Sequence, residues 1–128
     1  EDIFEENDFE SFKLLKDVCP DKLIVGDDLT TTNPERIIEA KKQGSINALI
    51  IKPNQIGTLL ETFKAAELAE QFDWKIIIGH RSGETQDPFI SHLAVALGAW
   101  GLKAGAPARG ERTAKYNELL RIEEELNV

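Results

Sequence analysis

A seven-residue segment, Gly79–Thr85, combines residue types that suit anion binding and directly follows the apolar run Ile76–Ile78. An apolar β-branched run that breaks into a glycine-flanked polar cluster is typical of a buried parallel strand ending in a loop. Arg81 offers a planar fork of hydrogen-bond donors and Ser82 a hydroxyl, and the glycines allow backbone N–H groups to approach an anion. The segment predicts an oxyanion-binding loop, with an ordinary turn that carries a surface arginine as the alternative.

Charged or polar side chains follow each of four apolar runs. They are Asp27 and Asp28 after 23–25, Lys52 after 48–51, His80, Arg81 and Ser82 after 76–78, and Lys103 at the end of 101–103. Because the carboxyl ends of parallel strands lie along one rim, we expect Asp27, Lys52, Arg81 and Lys103 to converge on one pocket. Carboxylates suit Mg²⁺. A lysine close to a metal and to another lysine has its neutral form favoured, and it can take a proton from carbon.

Simpler interpretations of the same residues remain open. Asp27 and Asp28 precede Thr30 and would also serve to cap a turn. Lys52 would also fit as a strand-end lysine that reaches solvent. His92, in an alanine-rich helical segment, is interpreted as a structural or surface histidine.

Apolar periodicity and turn residues predict alternating strands and helices. The predicted strands cover 23–25, 48–51, 74–78 and 101–103. The predicted helices cover 8–18, 34–43, a segment that begins at 58 and includes Ala69, 90–99 and 111–126. Residues 53–57 are expected to be a loop. In the third helix the inward face is expected to hold Leu59, Leu60, Phe63, Ala66 and Ala69. A strand spacing of roughly 25 to 27 residues indicates right-handed βαβ units, hence an α/β fold with a parallel sheet.

Composition limits the classes of protein to consider. The 128 residues are enough for one domain, and the net charge of −8 argues against nucleic-acid and anionic-membrane partners. One cysteine, Cys19, and two histidines exclude an internal disulfide and a Cys/His zinc site, and they fit a reducing, cytoplasmic setting. No apolar run approaches the ~20 residues of a membrane span. The chain contains no Met and opens on Glu1-Asp2, as if cut from a longer protein.

Five ordered motifs resemble the C-terminal part of enolase (phosphopyruvate hydratase). They are Val25-Gly26-Asp27-Asp28-Leu29-Thr30, Ile51-Lys52-Pro53-Asn54-Gln55-Ile56-Gly57, His80-Arg81-Ser82-Gly83-Glu84-Thr85, Lys103-Ala104-Gly105-Ala106-Pro107 and Leu119-Leu120-Arg121-Ile122-Glu123-Glu124. The resemblance implies that residues 1–128 are the C-terminal half of an enolase-type TIM-like barrel, a single partial domain without the upstream half and the N-terminal domain. It also implies a cytoplasmic lyase of glycolysis, which reversibly dehydrates 2-phosphoglycerate to phosphoenolpyruvate with Mg²⁺.

The resemblance also implies roles for single residues. Asp27 is similar to one carboxylate ligand of Mg²⁺, and Glu1 to another. Lys52 resembles the general base, and Lys103 the group that helps to hold the substrate carboxylate and the enolate-like intermediate. His80, Arg81 and Ser82 resemble substrate contacts, the last two on the phosphate. Adjacent cations would stabilise the dianionic intermediate that proton removal creates.

The sequence departs from the family pattern at several positions, none of them with a direct catalytic role. Ile3 replaces a proline, Gly79 a serine, Gln86 a glutamate, Ser91-His92 an Ala-Asp pair and Ala104 a threonine. Further site residues of the family lie upstream of Glu1, so we expect the isolated chain to be at best a very poor enzyme.

We expect the chain to associate with the missing N-terminal half or with a second copy as a homodimer, because half a barrel leaves open sheet edges. Two alternatives stay open for its function. One is a non-catalytic, enolase-derived binding module. The other is an enolase-superfamily lyase for an unphosphorylated acid, against which Arg81 and Ser82 argue, since a phosphate would engage both.

Overall fold

The structure, a computed structural model, describes residues 1–127. Its elements in chain order are α1 (Phe9–Val18), β1 (Val25–Gly26), α2 (Pro34–Gln43), β2 (Ala48–Ile51), α3 (Pro53–Ile56), α4 (Leu59–Gln71), β3 (Lys75–Gly79), α5 (Phe89–Ala96), β4 (Gly101–Lys103) and α6 (Gly110–Leu126). None of the helices described is long and apolar enough to cross a membrane.

The strands form one sheet in the order β1-β2-β3-β4. β1 pairs with β2 in parallel, with Val25 opposite Ala48, and β3 pairs with β4 in parallel, with Gly79 opposite Lys103. The predicted α/β class and parallel pairing are therefore confirmed. The chain divides into two compact units, Glu1–Ile76 and Ile77–Val128, and the division falls inside β3.

The first unit folds around the all-buried strand β2. Side chains satisfy free backbone N–H groups at the starts of α1 and α2. Asp8 accepts a hydrogen bond from Ser11 N at the start of α1, and Asn33 accepts from Glu35 N at the start of α2. Gly44 ends α2 with φ 69°, a left-handed conformation that glycine adopts without a Cβ clash. The buried core includes Phe12, Leu29, Ile37, Ile46 and Leu49.

The second unit holds most of β3, together with α5, β4 and α6. Helix α5 packs against α6 and β4, and the buried apolar side chains are Ile78, Ile90, Leu93, Ala94, Ala104 and Ile122. At the start of α5, Asp87 Oδ1 accepts from Phe89 N at 2.9 Å. Asp87 thus satisfies one of the backbone N–H groups that are free at the start of the helix.

Four local predictions were wrong. The helix predicted over 90–99 ends at Ala96, and Gly98 beyond it has a left-handed φ of 57°. The first strand begins at Val25 rather than residue 23, because Ile24 N donates to Asn47 Oδ1 instead of a strand partner. The expected loop after β2 contains α3, which Gly57 closes with its N–H on Pro53 O at 2.8 Å. The buried face of α4 holds the small residues Thr62, Ala65, Ala66 and Ala69, which let the helix pack closely on α2 and β2. Leu59, Leu60 and Phe63 are exposed.

Candidate functional site

A buried ion pair joins the ends of β1 and β2 in the first unit. Lys52 Nζ donates a hydrogen bond to Asp27 Oδ2 at 2.7 Å and lies 2.7 Å from Oδ1. The side chains are 11% and 5% exposed, respectively. Asp27 follows β1 and Lys52 follows β2, so the parallel pairing of these strands brings together two residues 25 positions apart. The part of the predicted convergence that concerns Asp27 and Lys52 is therefore observed, and the Lys52 side chain does not reach into solvent.

Asp2 fixes the turn that carries Asp27. Its Oδ1 accepts from Asp27 N at 2.9 Å and its Oδ2 accepts from Asp28 N at 2.7 Å. Asp2 N donates to Val25 O at 3.1 Å, which ties the beginning of the chain to β1. Asp2 was not predicted as a site residue, and the family motif points to its neighbour Glu1 instead.

The only group of carboxylates among residues 1–127 arranged closely enough to hold a metal ion consists of Asp2, Asp27 and Asp28. One oxygen from each lies within 4.8 Å of the others. Such a set of hard oxygen donors fits Mg²⁺, which takes one or two protein carboxylates and completes its shell with ligand or water oxygens. Glu1 is exposed and is not in this group. Its role as a metal ligand stays a prediction.

In the second unit, backbone N–H groups of the loop after β3 donate hydrogen bonds to a strand carbonyl and to a carboxylate. His80 N donates to Lys103 O at 2.9 Å, which places the predicted histidine and lysine at the carboxyl ends of the paired strands β3 and β4. Arg81 N donates to Glu84 Oε1 at 3.3 Å. Arg81 and Ser82 are exposed. The guanidinium and the hydroxyl therefore lie at the surface, which fits both the anion-binding loop and the ordinary turn with a surface arginine.

The charged side chains that influence His80 are mostly basic. Burial of the ring is the main reason that the pKa of His80 lies below its usual value of 6.5, and Arg112, Lys103 and Lys115 lower the pKa further, whereas Glu84 raises it. The lowered pKa favours the neutral imidazole. Its Nδ1 is buried and has no hydrogen-bond partner among the described residues. A neutral imidazole can donate a hydrogen bond to a bound ligand or accept one from it.

A fully buried lysine anchors this loop to α6. Lys115 Nζ lies 3.0 Å from Glu84 Oε2 and donates to Glu111 O at 2.7 Å and to Thr85 O. Lys115 was not predicted as a site residue, although its spacing from Leu119 and Ile122 places it on the apolar face of the helix. His92, by contrast, is exposed and contacts Glu118, as expected of a surface histidine.

The structure brings the predicted site residues together in two groups, one in each unit. Asp27 and Lys52 form the first group. His80, Arg81, Ser82 and Lys103 form the second, at the ends of β3 and β4. The convergence of both groups on one pocket stays a prediction.

The fold and the first group define a class: an α/β protein of parallel βα units, with ionisable side chains at the carboxyl ends of its strands. Comparison with known proteins names the family. All 128 residues match the model of the enolase C-terminal TIM barrel domain. The chain belongs to the enolase family, and the resemblance and the barrel type read from the sequence motifs are confirmed.

Three relatives are each named enolase. The chain is 54% identical over 127 residues to the protein of Methanopyrus kandleri, 55% identical over 126 residues to that of Methanosarcina mazei, and 51% identical over 128 residues to that of Sulfurisphaera tokodaii. These matches cover 98%, 98% and 100% of this chain, but only 30%, 29% and 31% of the respective relatives. The chain therefore spans about 30% of the length of its relatives.

Proposed function

We propose that this chain is the C-terminal part of the catalytic barrel of an enolase, which reversibly dehydrates 2-phosphoglycerate to phosphoenolpyruvate in glycolysis. The observation that carries the proposal is the buried Lys52–Asp27 pair at the carboxyl ends of two adjacent parallel strands. A glycolytic role also leads us to propose a cytoplasmic location, which is consistent with the single cysteine, Cys19.

Lys52 is the proposed general base. In its neutral form the amine takes the proton from the carbon next to the substrate carboxylate, and the resulting ammonium is stabilised by Asp27 at 2.7 Å. The buried position of both groups excludes water, which strengthens this charge interaction. Lys103 is proposed to help hold the substrate carboxylate and the enolate-like intermediate, whose negative charge its ammonium would stabilise.

His80, Arg81 and Ser82 are proposed as substrate contacts. The Arg81 guanidinium offers two parallel donors that match phosphate geometry, and the Ser82 hydroxyl adds a third. Both side chains are exposed and belong to the loop that Glu84 and Lys115 hold in place.

Asp27 is the proposed protein ligand of Mg²⁺, with Glu1 as a second ligand. The oxygen-only donors around Asp27 fit this hard cation. When bound, Mg²⁺ supplies positive charge that stabilises negative charge developing on the substrate carboxylate. Within this chain, Asp2 would hold the Asp27 turn in the conformation that presents its carboxylate.

Because the chain spans about 30% of its relatives, we propose that it holds part of the site and needs a partner. The first and last strands of the order β1-β2-β3-β4 each have one strand neighbour, and open edges favour pairing with another chain. The partner is proposed to be the missing N-terminal half or a second copy. Light scattering tests this proposal on the isolated chain, and a strictly monomeric, well-folded species would contradict the expected homodimer.

The activity is tested in a chimera in which this chain replaces the matching 126 residues of the Methanosarcina mazei enolase. The unaltered host protein and the isolated 128-residue chain are measured in parallel. Formation of phosphoenolpyruvate from 2-phosphoglycerate, followed by ultraviolet absorbance with and without Mg²⁺, is expected for the chimera and the host but not for the isolated chain. A folded, inactive chimera would favour the binding module, and turnover of an unphosphorylated acid instead would favour the other lyase.

Mg²⁺ binding is tested separately by titration calorimetry on the same chimera. Asp27→Asn is expected to weaken binding by at least about tenfold, because it removes a charged ligand. Asp21→Asn, at an exposed position of the same unit, is the matched control and is expected to bind Mg²⁺ like the parent chimera. Equal affinities for the two variants would contradict the assignment of Asp27.

A further inference from the structure

Three hydrogen bonds form a closed ring around the main chain of Lys52. Lys52 N donates to Thr32 Oγ1 at 2.9 Å, and Thr32 Oγ1 donates in turn to Gln55 Oε1 at 2.8 Å. Gln55 N donates to Lys52 O at 2.9 Å, which closes the ring. Both backbone polar groups of Lys52 are thus fixed by this ring, at the point where β2 ends and α3 begins.

The ring joins two segments that are distant in sequence. Thr32 lies 20 residues before Lys52, at the end of the turn that starts with Asp27. In this turn, Thr31 N and Thr30 N donate to Asp27 O at 2.8 and 3.2 Å. The same short turn therefore carries the carboxylate that meets Lys52 Nζ and the hydroxyl that meets Lys52 N. The turn therefore fixes both the backbone N–H and the side-chain ammonium of Lys52 relative to Asp27.

The backbone of this turn is strained. Thr31 and Thr32 have φ values of 47° and 57°, in the left-handed region that β-branched residues rarely adopt. Such conformations persist only where surrounding contacts enforce them, and they are concentrated at functional sites. Thr32 is fully buried, and its hydroxyl takes part in the ring, whereas the Thr31 hydroxyl donates only to the adjacent Thr30 O. The two threonines share the strain but not the contact with Lys52.

We infer that Thr32 is a positioning residue for the reaction: its hydroxyl fixes the main chain of Lys52, so that the amine stays at the Asp27 carboxylate. The inference rests on the proposed role of Lys52 as general base. Gln55 assists because its Oε1 accepts a hydrogen bond from the Thr32 hydroxyl and its N–H donates one to Lys52 O. Without the hydroxyl, the N–H of Lys52 would be buried without an acceptor, and the lysine would occupy a wider range of positions.

The first test uses the 128-residue chain and needs no activity. Thr32→Val removes the hydroxyl and keeps the β-branched shape, Thr32→Ser keeps the hydroxyl, and Thr31→Val is the matched control with the same strained backbone. Hydrogen exchange of the Lys52 amide is measured by NMR and corrected for global unfolding. Loss of one buried hydrogen bond is expected to accelerate exchange by about tenfold or more in Thr32→Val alone. Equal rates in the two valine variants would overturn the inference.

The second test places the same variants in the chimera with the Methanosarcina mazei enolase. Thr32→Val is expected to lower kcat by about 10- to 100-fold with little change in KM, because a displaced base impairs the chemical step more than substrate binding. Thr32→Ser is expected to restore most of kcat, and Thr31→Val to retain it. An unchanged kcat in Thr32→Val, or a loss that appears in KM alone, would overturn the inference.

If Thr32→Val does not fold, Gln55→Met removes the acceptor of the Thr32 hydroxyl at a partly exposed position. It is expected to accelerate Lys52 amide exchange and to lower kcat in the same direction by about threefold or more. A variant with unchanged exchange and kcat would count against the ring. Failure of the proposed function has a different outcome: the parent chimera itself would be inactive, while amide exchange would still decide the role of Thr32.

Discussion

The buried position of Lys115 makes Lys115→Met the sharpest test of how the loop after β3 is held. Methionine fills a similar volume but removes the ammonium that meets Glu84 Oε2 at 3.0 Å. It also removes the donor to Glu111 O at 2.7 Å and the donor to Thr85 O. The Lys115 side chain is 0% exposed, whereas that of Glu84 is 20% exposed, so water replaces the lost contacts only on the glutamate side.

The magnitude follows from removing one partner of a buried pair. Breaking such a pair from one side typically costs about 3–5 kcal/mol, because the remaining charge stays partly desolvated. Leaving a carbonyl without its donor typically costs about 1 kcal/mol. These costs are not summed with the cost of breaking the ion pair, because all three contacts belong to the same ammonium group. We expect Lys115→Met to lower the free energy of unfolding by about 3–5 kcal/mol, a large share of the roughly 5–15 kcal/mol of a typical domain.

Urea titration of the 128-residue chain measures this loss, with the fluorescence of Trp100 as a reporter in the same unit. Lys64→Met is the matched control, because Lys64 is an exposed helical lysine, and its expected effect is below about 0.5 kcal/mol. The double variant Glu84→Gln/Lys115→Met is expected to lose less than the sum of the two single variants, since no charge is left alone. A loss below about 1 kcal/mol in Lys115→Met, or additive losses in the double variant, would refute this reasoning.

Three further predictions follow. In the chimera, Lys52→Ala is expected to slow proton exchange at the substrate carbon by about 10²- to 10⁴-fold, whereas the control His92→Ala should leave it nearly unchanged. The exchange is measured by NMR in deuterated water. Equal rates in the two variants would contradict the role of Lys52 as general base. The pKa of His80 is lower in the folded than in the unfolded chain, so the unfolded chain binds more protons just below pH 6.5, and the free energy of unfolding should fall as the pH drops through that range. His80→Gln should reduce this fall, as measured by urea titrations at several pH values. An identical pH profile in the variant would contradict the prediction. Asn33→Ala should cost about 1 kcal/mol of unfolding free energy by the same method, because the Asn33 side chain caps α2, and no loss would mean that the cap is dispensable.

Much of the fold was predictable because local signals agreed with it. The bounds of α2, β2 and β4 match the prediction. The inward face of α4 was not predictable from hydrophobicity. Its buried side chains are small because the helix packs closely on α2 and β2, whereas the larger Leu60 and Phe63 are exposed.

Part of the candidate site was also predictable, since Asp27 and Lys52 follow apolar runs and parallel pairing brings strand ends together. Three residues were not found in this way. Asp2 and Thr32 act through hydrogen bonds to backbone N–H groups, for which a sequence carries no periodic signal. Lys115 looked like one charge among many on a charged helix, although it is fully buried.

The sequence by itself determined the alternation of strands and helices, the α/β class and the family, because these depend on local patterns and on ordered motifs. Only the tertiary structure decided which polar groups meet: the Asp2 carboxylate at the Asp27 turn, the Thr32 hydroxyl at Lys52 N, and the Lys115 ammonium at Glu84. The physical reason is that a hydrogen bond or ion pair depends on distances of about 3 Å between atoms. Strand pairing and helix packing set those distances, and the spacing of residues along the chain does not.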